Sequence, residues 1–143
     1  MNLERLLSSL TTEVGRLAAR YGVIYALLFG SAATGGFKEY SDLDLAVMFE
    51  DGSNAALKAS TLALDLEEAL GVKVDVVPLN EADYVLSFEA FSTGILIHCA
   101  DRSVFIEDKA NAFDRFHDFQ PLFERLYRRA VEGIKAAAAG NQG

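Results

Sequence analysis

Cys99 is the only cysteine in this chain, so no internal disulfide can form. That suits a reducing compartment, because oxidised secreted domains use paired cysteines. Positive charge is also scarce: 13 Lys and Arg stand against 21 Asp and Glu, a net charge of −8. A surface of that sign repels phosphate backbones, which argues against direct nucleic-acid binding. It does not exclude a nucleotide, since a bound cation inverts the local field. No apolar run approaches the length of a membrane span. The opening MNLERLLSSL lacks the basic start and long apolar core of a signal peptide. We expect a cytoplasmic protein that makes no membrane contact. There is no Walker loop, dinucleotide fingerprint or Ser-His-Asp frame. The two histidines, His98 and His117, lie far apart without metal-site spacing, and both are expected to be packed side chains. Cys99 is expected to act as a small buried hydrophobe.

What is present is a good core-former. At 143 residues and 51% hydrophobic, the chain is expected to be one domain, 1–143. Leu3, Leu6, Leu7, Leu10, Val14, Leu17 and Tyr21 recur at helical spacing, predicting a helix over 3–20 that Gly22 stops. The run VIYALLF, 23–29, predicts a central strand covered on both faces. LDLAVMF predicts a second strand over 43–49, after which DGSN forms a turn. A helix over 55–70, with Leu62, Leu66, Ala69 and Leu70 on one face, should end at Gly71. VKVDVVP predicts a third strand over 72–78, closed by Pro78. A helix over 82–93 and a short strand over 95–99 follow.

From about 102 two helical segments are expected, with Pro121 near the start of the second. The fold class is therefore α/β (α+β): a small mixed sheet flanked by helices, with a core at about 20–80 and a C-terminal helical arm at about 101–138. Phe105, Phe113, Phe116, Phe119, Phe123 and Tyr127 make that arm aromatic. They either cover the sheet or, in part, meet a partner. Arg125, Arg128 and Arg129 add a basic face to it.

One stretch carries most of the chemistry: LFGSAATGGFKEYSDLDLAVMFED. An apolar run delivers Gly30-Ser31, a Gly-rich loop with Lys38 follows, and Ser41-Asp42-Leu43-Asp44 opens the next apolar run. Residues two apart on a strand share a face, so Asp42 and Asp44 point one way and Leu43 and Leu45 the other. Asp75 lies within the third strand between Val74 and Val76, where a lone carboxylate is costly unless paired. Lys73, on the same strand face, offers one partner. A divalent metal shared with Asp42 and Asp44 offers another, because hard cations take carboxylate and phosphate oxygens. Three carboxylates can hold two ions about 4 Å apart, a clamp for in-line displacement at phosphorus.

Gly-Ser, ten residues, Asp-x-Asp and a later strand-borne Asp together resemble the polymerase-β nucleotidyltransferase superfamily. In its short length the chain looks like the minimal nucleotidyltransferases, and with its helical tail like the antitoxin members paired with HEPN toxins. The resemblance implies that Gly30 and Ser31 contact an ATP triphosphate, that Asp42, Asp44 and Asp75 hold one or two Mg²⁺, and that Asp75 helps to deprotonate an acceptor hydroxyl. Lys38 and Ser41 complete the implied nucleotide site. Thr34 stands where many family members carry a phosphate-binding arginine, and Lys38 is its candidate substitute. The implied activity is protein adenylylation: AMP passes from ATP to a hydroxyl of a cognate HEPN toxin, which is thereby neutralised. Two other readings stay open, an antitoxin that acts by binding alone and a nucleotidyltransferase acting on an antibiotic hydroxyl. Arg102 and Arg115 lack the arginine-to-histidine spacing of the HEPN ribonuclease motif, so the chain is not expected to be the toxin. Self-association is left open.

Overall fold

The structure is a computed structural model that describes residues 3–35 and 42–140, the side chain of Phe123 excepted. Lys38 and Ser41 therefore lie outside the described residues. The elements run α1 (Leu3–Tyr21), β1 (Val23–Phe29), α2 (Ser31–Thr34), β2 (Leu43–Phe49), α3 (Ala55–Leu70), β3 (Val74–Pro78), a 3₁₀ turn (Leu79–Glu81), α4 (Tyr84–Thr93), β4 (Ile95–Cys99) and α5 (Arg102–Gly140).

The four strands form one sheet in the order β3-β2-β1-β4. β1 pairs antiparallel with β2 and with β4, whereas β2 and β3 are parallel and joined by the α3 crossover. β1 is central because it can afford burial on both faces, as VIYALLF lets it do. Leu6, Leu10, Val14 and Leu17 of α1 and Ala55, Ala59, Leu62 and Leu66 of α3 pack on one sheet face with Ala26, Leu28, Leu43, Leu45, Val47 and Val74. The opposite face carries Tyr25, Leu27, Phe29 and Ala46, covered by Phe91 of α4 and Ala112 of α5. Helix ends follow local chemistry. Gly71 takes φ 71° beyond α3 and donates its N–H to Glu67 O at 2.8 Å. Asp83 caps α4 by accepting from Leu86 N at 2.8 Å.

Several sequence expectations change. The third strand begins at Val74, not at 72, so Lys73 lies outside it. Ala69 is exposed, and Ala55 and Ala59 take its place on the buried face of α3. His117 is exposed against the edge of Phe116 rather than packed. The two C-terminal segments are one 39-residue helix with Pro121 inside it. A proline costs a helix one hydrogen bond and crowds the carbonyl four residues back, while Phe116 and Phe119 pack on Phe88 and Tyr84 and hold the helix up to it.

Candidate active site

Three strands bring the site together. Phe29 of β1 lies opposite Asp44 of β2, and Asp44 lies opposite Asp75 of β3. Neighbouring strands sit about 4.8 Å apart, so residues in register share a face as near neighbours. The parallel β2–β3 pairing thus sets two carboxylates side by side on the face opposite α1 and α3. Asp42 stands just before β2, where Leu43 N donates to Lys73 O at 3.0 Å and ties the start of β2 to the approach to β3.

Gly30 closes the site from the β1 side. Its φ is 75° and ψ −153°, a conformation that favours glycine. A Cβ added at Gly30 would stand 2.5 Å from Asp44 Oδ2. The backbone after β1 can therefore approach the carboxylate only because residue 30 has no side chain. Ser31 opens α2, whose turn is held by Ala33 N and Thr34 N donating to Gly30 O at 3.2 and 3.3 Å. Thr34 is exposed and its hydroxyl donates back to Gly30 O at 3.2 Å.

The electrostatics are those of crowded like charge. Burial pushes the Asp44 carboxyl above the ordinary carboxylate range, and the charges of Asp75, Asp42 and Glu89 add to it in that order. Lys73 relieves little of this. It sits 3.7 Å from Asp42 Oδ2, with side chains 69% and 35% exposed, the geometry of a weak surface pair. The sequence-level alternative, Lys73 neutralising Asp75 within one strand, is therefore replaced by a Lys73–Asp42 pair. Asp75 itself is exposed and forms no ion pair among the described residues.

Hard oxygen donors under mutual repulsion are a donor set that a divalent cation relieves, so the chemistry of Asp42, Asp44 and Asp75 fits Mg²⁺. Among the described residues, no three His, Cys, Asp or Glu side chains already converge on one point. The fit therefore lies in the chemistry of the donors and in the field they share.

Sequence reasoning missed two contributors. Glu89, on α4, adds to the field at Asp44 and lies outside the motif. Tyr25, fully buried in β1, donates its hydroxyl to Asp108 Oδ2 at 2.7 Å across the wall of a cavity of about 420 Å³. That cavity is on the same sheet face but toward the far end of β1 and β2, near Met48, Asn80 and Phe91. Nothing in the sequence links residues 83 positions apart.

Residues 13–103 match the model of the family described as polymerase beta, nucleotidyltransferase. The protein adenylyltransferase MntA of Thermococcus cleftensis is 40% identical over 77 residues, 54% of this chain and 77% of that protein. A solved chain described as a minimal nucleotidyltransferase superposes with a TM-score of 0.58 at 38% identity, over 66% of this chain and 95% of that one. A chain of the complex between a tri-AMPylated Shewanella oneidensis HEPN toxin and an MNT antitoxin superposes with a TM-score of 0.71 at 20% identity. That match covers 87% of this chain and 98% of the other, and at such identity the likeness is one of fold.

Proposed function

The chain belongs to the polymerase beta nucleotidyltransferase family, and from that premise we propose that it is a protein adenylyltransferase antitoxin. It moves AMP from ATP to a hydroxyl side chain of a HEPN-type toxin and so silences it. The observation that carries the reading is the register that sets Asp44 beside Asp75, with the Gly30 backbone against Asp44. The relative named a protein adenylyltransferase and the AMP-bearing toxin complex support the acceptor class.

In this reading Gly30 and Ser31 present backbone N–H groups and the Ser31 hydroxyl to the triphosphate, with Lys38 and Ser41 completing the cradle. Asp42, Asp44 and Asp75 would hold Mg²⁺, which would supply charge neutralisation at the phosphates. Asp75, exposed at the edge strand, takes the proton from the acceptor hydroxyl. The hydroxyl oxygen bonds to the α-phosphorus, the bond from that phosphorus to the bridging oxygen breaks, and pyrophosphate departs with the electron pair. Positioning and charge stabilisation supply the acceleration, as in phosphoryl transfer generally. Among the described residues no helix is long and apolar enough to cross a membrane; the proposed setting is the cytoplasm.

The test is to incubate the chain with ATP, Mg²⁺ and the HEPN-type product of the neighbouring gene and weigh the partner by mass spectrometry. One or more added AMP groups are expected. Asp42→Ala with Asp44→Ala should cut transfer by about 10³-fold or more. Absence of any nucleotide-dependent mass gain, or a gain that the double variant leaves intact, overturns the reading. Thr34 favours one second reading, because it gives α2 a hydroxyl turned onto its own backbone where a cation would serve phosphate. If the double variant protects cells from the partner as well as the parent does, binding alone is the function.

A further inference from the structure

We propose that the C-terminal half of α5 is the docking arm for the toxin partner, and that it takes a partner helix whose apolar stripe is bordered by carboxylates. This rests on the antitoxin reading above. The observation behind it is a single helix face with two fates. Successive residues turn by about 100°, which puts Phe105, Ala112, Phe116, Phe119, Leu122, Leu126 and Ile134 on one side of α5. The first part of that side is used inside the molecule. Ala112 is buried, Phe105 packs edge-on to Tyr25 at 5.2 Å, and Phe116 stacks on Phe88 at 3.8 Å. Among the described side chains the last ring contact is Phe119 with Tyr84 at 5.1 Å, and Tyr84 is the first residue of α4. Beyond it the large apolar side chains described on this face are exposed. Leu122, Leu126, Tyr127 and Ile134 are 48%, 55%, 65% and 70% exposed. From Phe119 to Ile134 the stripe runs about 22 Å, enough for a helix-in-groove contact read at i, i+3 and i+7.

Charge chooses among occupants. Arg125 and Arg129, one turn apart, border the stripe beside Leu122, and among the described residues neither forms an ion pair. They call for carboxylates on the incoming helix. A second copy of this chain fits badly, because an antiparallel pairing centred near Leu126 brings the same arginines together between two bodies of charge −8 each.

The experiment measures affinity of the full chain for the purified neighbouring-gene toxin by calorimetry, alongside AMP transfer. Leu122→Glu with Leu126→Glu is expected to weaken binding by about thirtyfold or more, the scale of a hot-spot loss. Arg125→Glu with Arg129→Glu should weaken it by about tenfold or more and make it less sensitive to salt. Asp42→Ala with Asp44→Ala should bind like the parent. All four side chains changed in the arm are exposed, and circular dichroism checks that the variants fold. If the parent binds and both arm variants bind equally well, the docking site is wrong while the antitoxin reading stands. If the parent neither binds nor modifies the toxin, the antitoxin reading fails and the docking site with it. If the parent is a dimer in solution that Leu122→Glu dissociates, the stripe belongs to a second copy and the proposal is overturned.

Discussion

The two faces of the sheet are built from alternate residues of the same strands and do opposite work. Leu43, Leu45 and Val47 of β2 point into a face sealed by α1 and α3 that contains no charge. Asp44, between two of them, points to the other face, where Phe29 and Asp75 flank it in register. One face is optimised for burial. The other holds like charges together at a cost in stability, which is what the proposed ligand site asks of it.

Neighbouring residues on β2 break this comparison most sharply. Leu45 is fully buried, so Leu45→Ala should cost about 2–5 kcal/mol in urea unfolding. Next in size is Gly30→Ala, which meets Asp44 and also strains a positive φ. It should lose roughly 1–3 kcal/mol together with most AMP transfer. Asp44→Asn should have the opposite sign. Because the Asp44 pKa is raised on folding, the folded chain binds that proton more tightly than the unfolded chain does. Ionised Asp44 therefore costs stability above its raised pKa, and the cost is relieved as pH falls through that value toward the unfolded one. The asparagine variant should melt roughly 2 °C higher at neutral pH, lose this advantage in acid, and transfer no AMP. A lower melting point for Asp44→Asn would mean that the carboxylates are not in mutual tension.

Asp51, in the turn after β2, is the reference carboxylate that serves neither face. The N–H and hydroxyl of Ser53, and then Lys58, hold its pKa below the ordinary range. Its contribution is complete above the unfolded carboxylate value and fades as pH falls through the lowered one. Asp51→Asn should thus shift the neutral-pH melting point by less than about 1 °C, with the difference closing in acid.

The face that was easiest to read was the buried one. Periodicity and glycine stops located β1, β2, β4 and α3 to the residue, because those signals are local. The motif residues Gly30, Ser31, Asp42, Asp44 and Asp75 were legible as types and spacing. Their relation was not, since strand register depends on the α3 crossover and not on any short window. For the same reason the partner of Lys73 could not be read, and Tyr25–Asp108 left no trace. The arm was misjudged at Pro121, because the packing of Phe116 and Phe119 on α4 that holds the helix up to the proline is long-range.

That proline should divide α5 into two cooperative units. Its nitrogen carries no hydrogen, so the ladder is interrupted two residues after the Phe119–Tyr84 ring contact. Upstream amides should exchange with solvent deuterium only on opening of the domain. Downstream amides, in an isolated helix of about five turns, should exchange on a helix–coil timescale until something covers them. The arm would then melt and re-form without disturbing the carboxylates, and on the proposed docking role the pace of partner capture would be uncoupled from the integrity of the site.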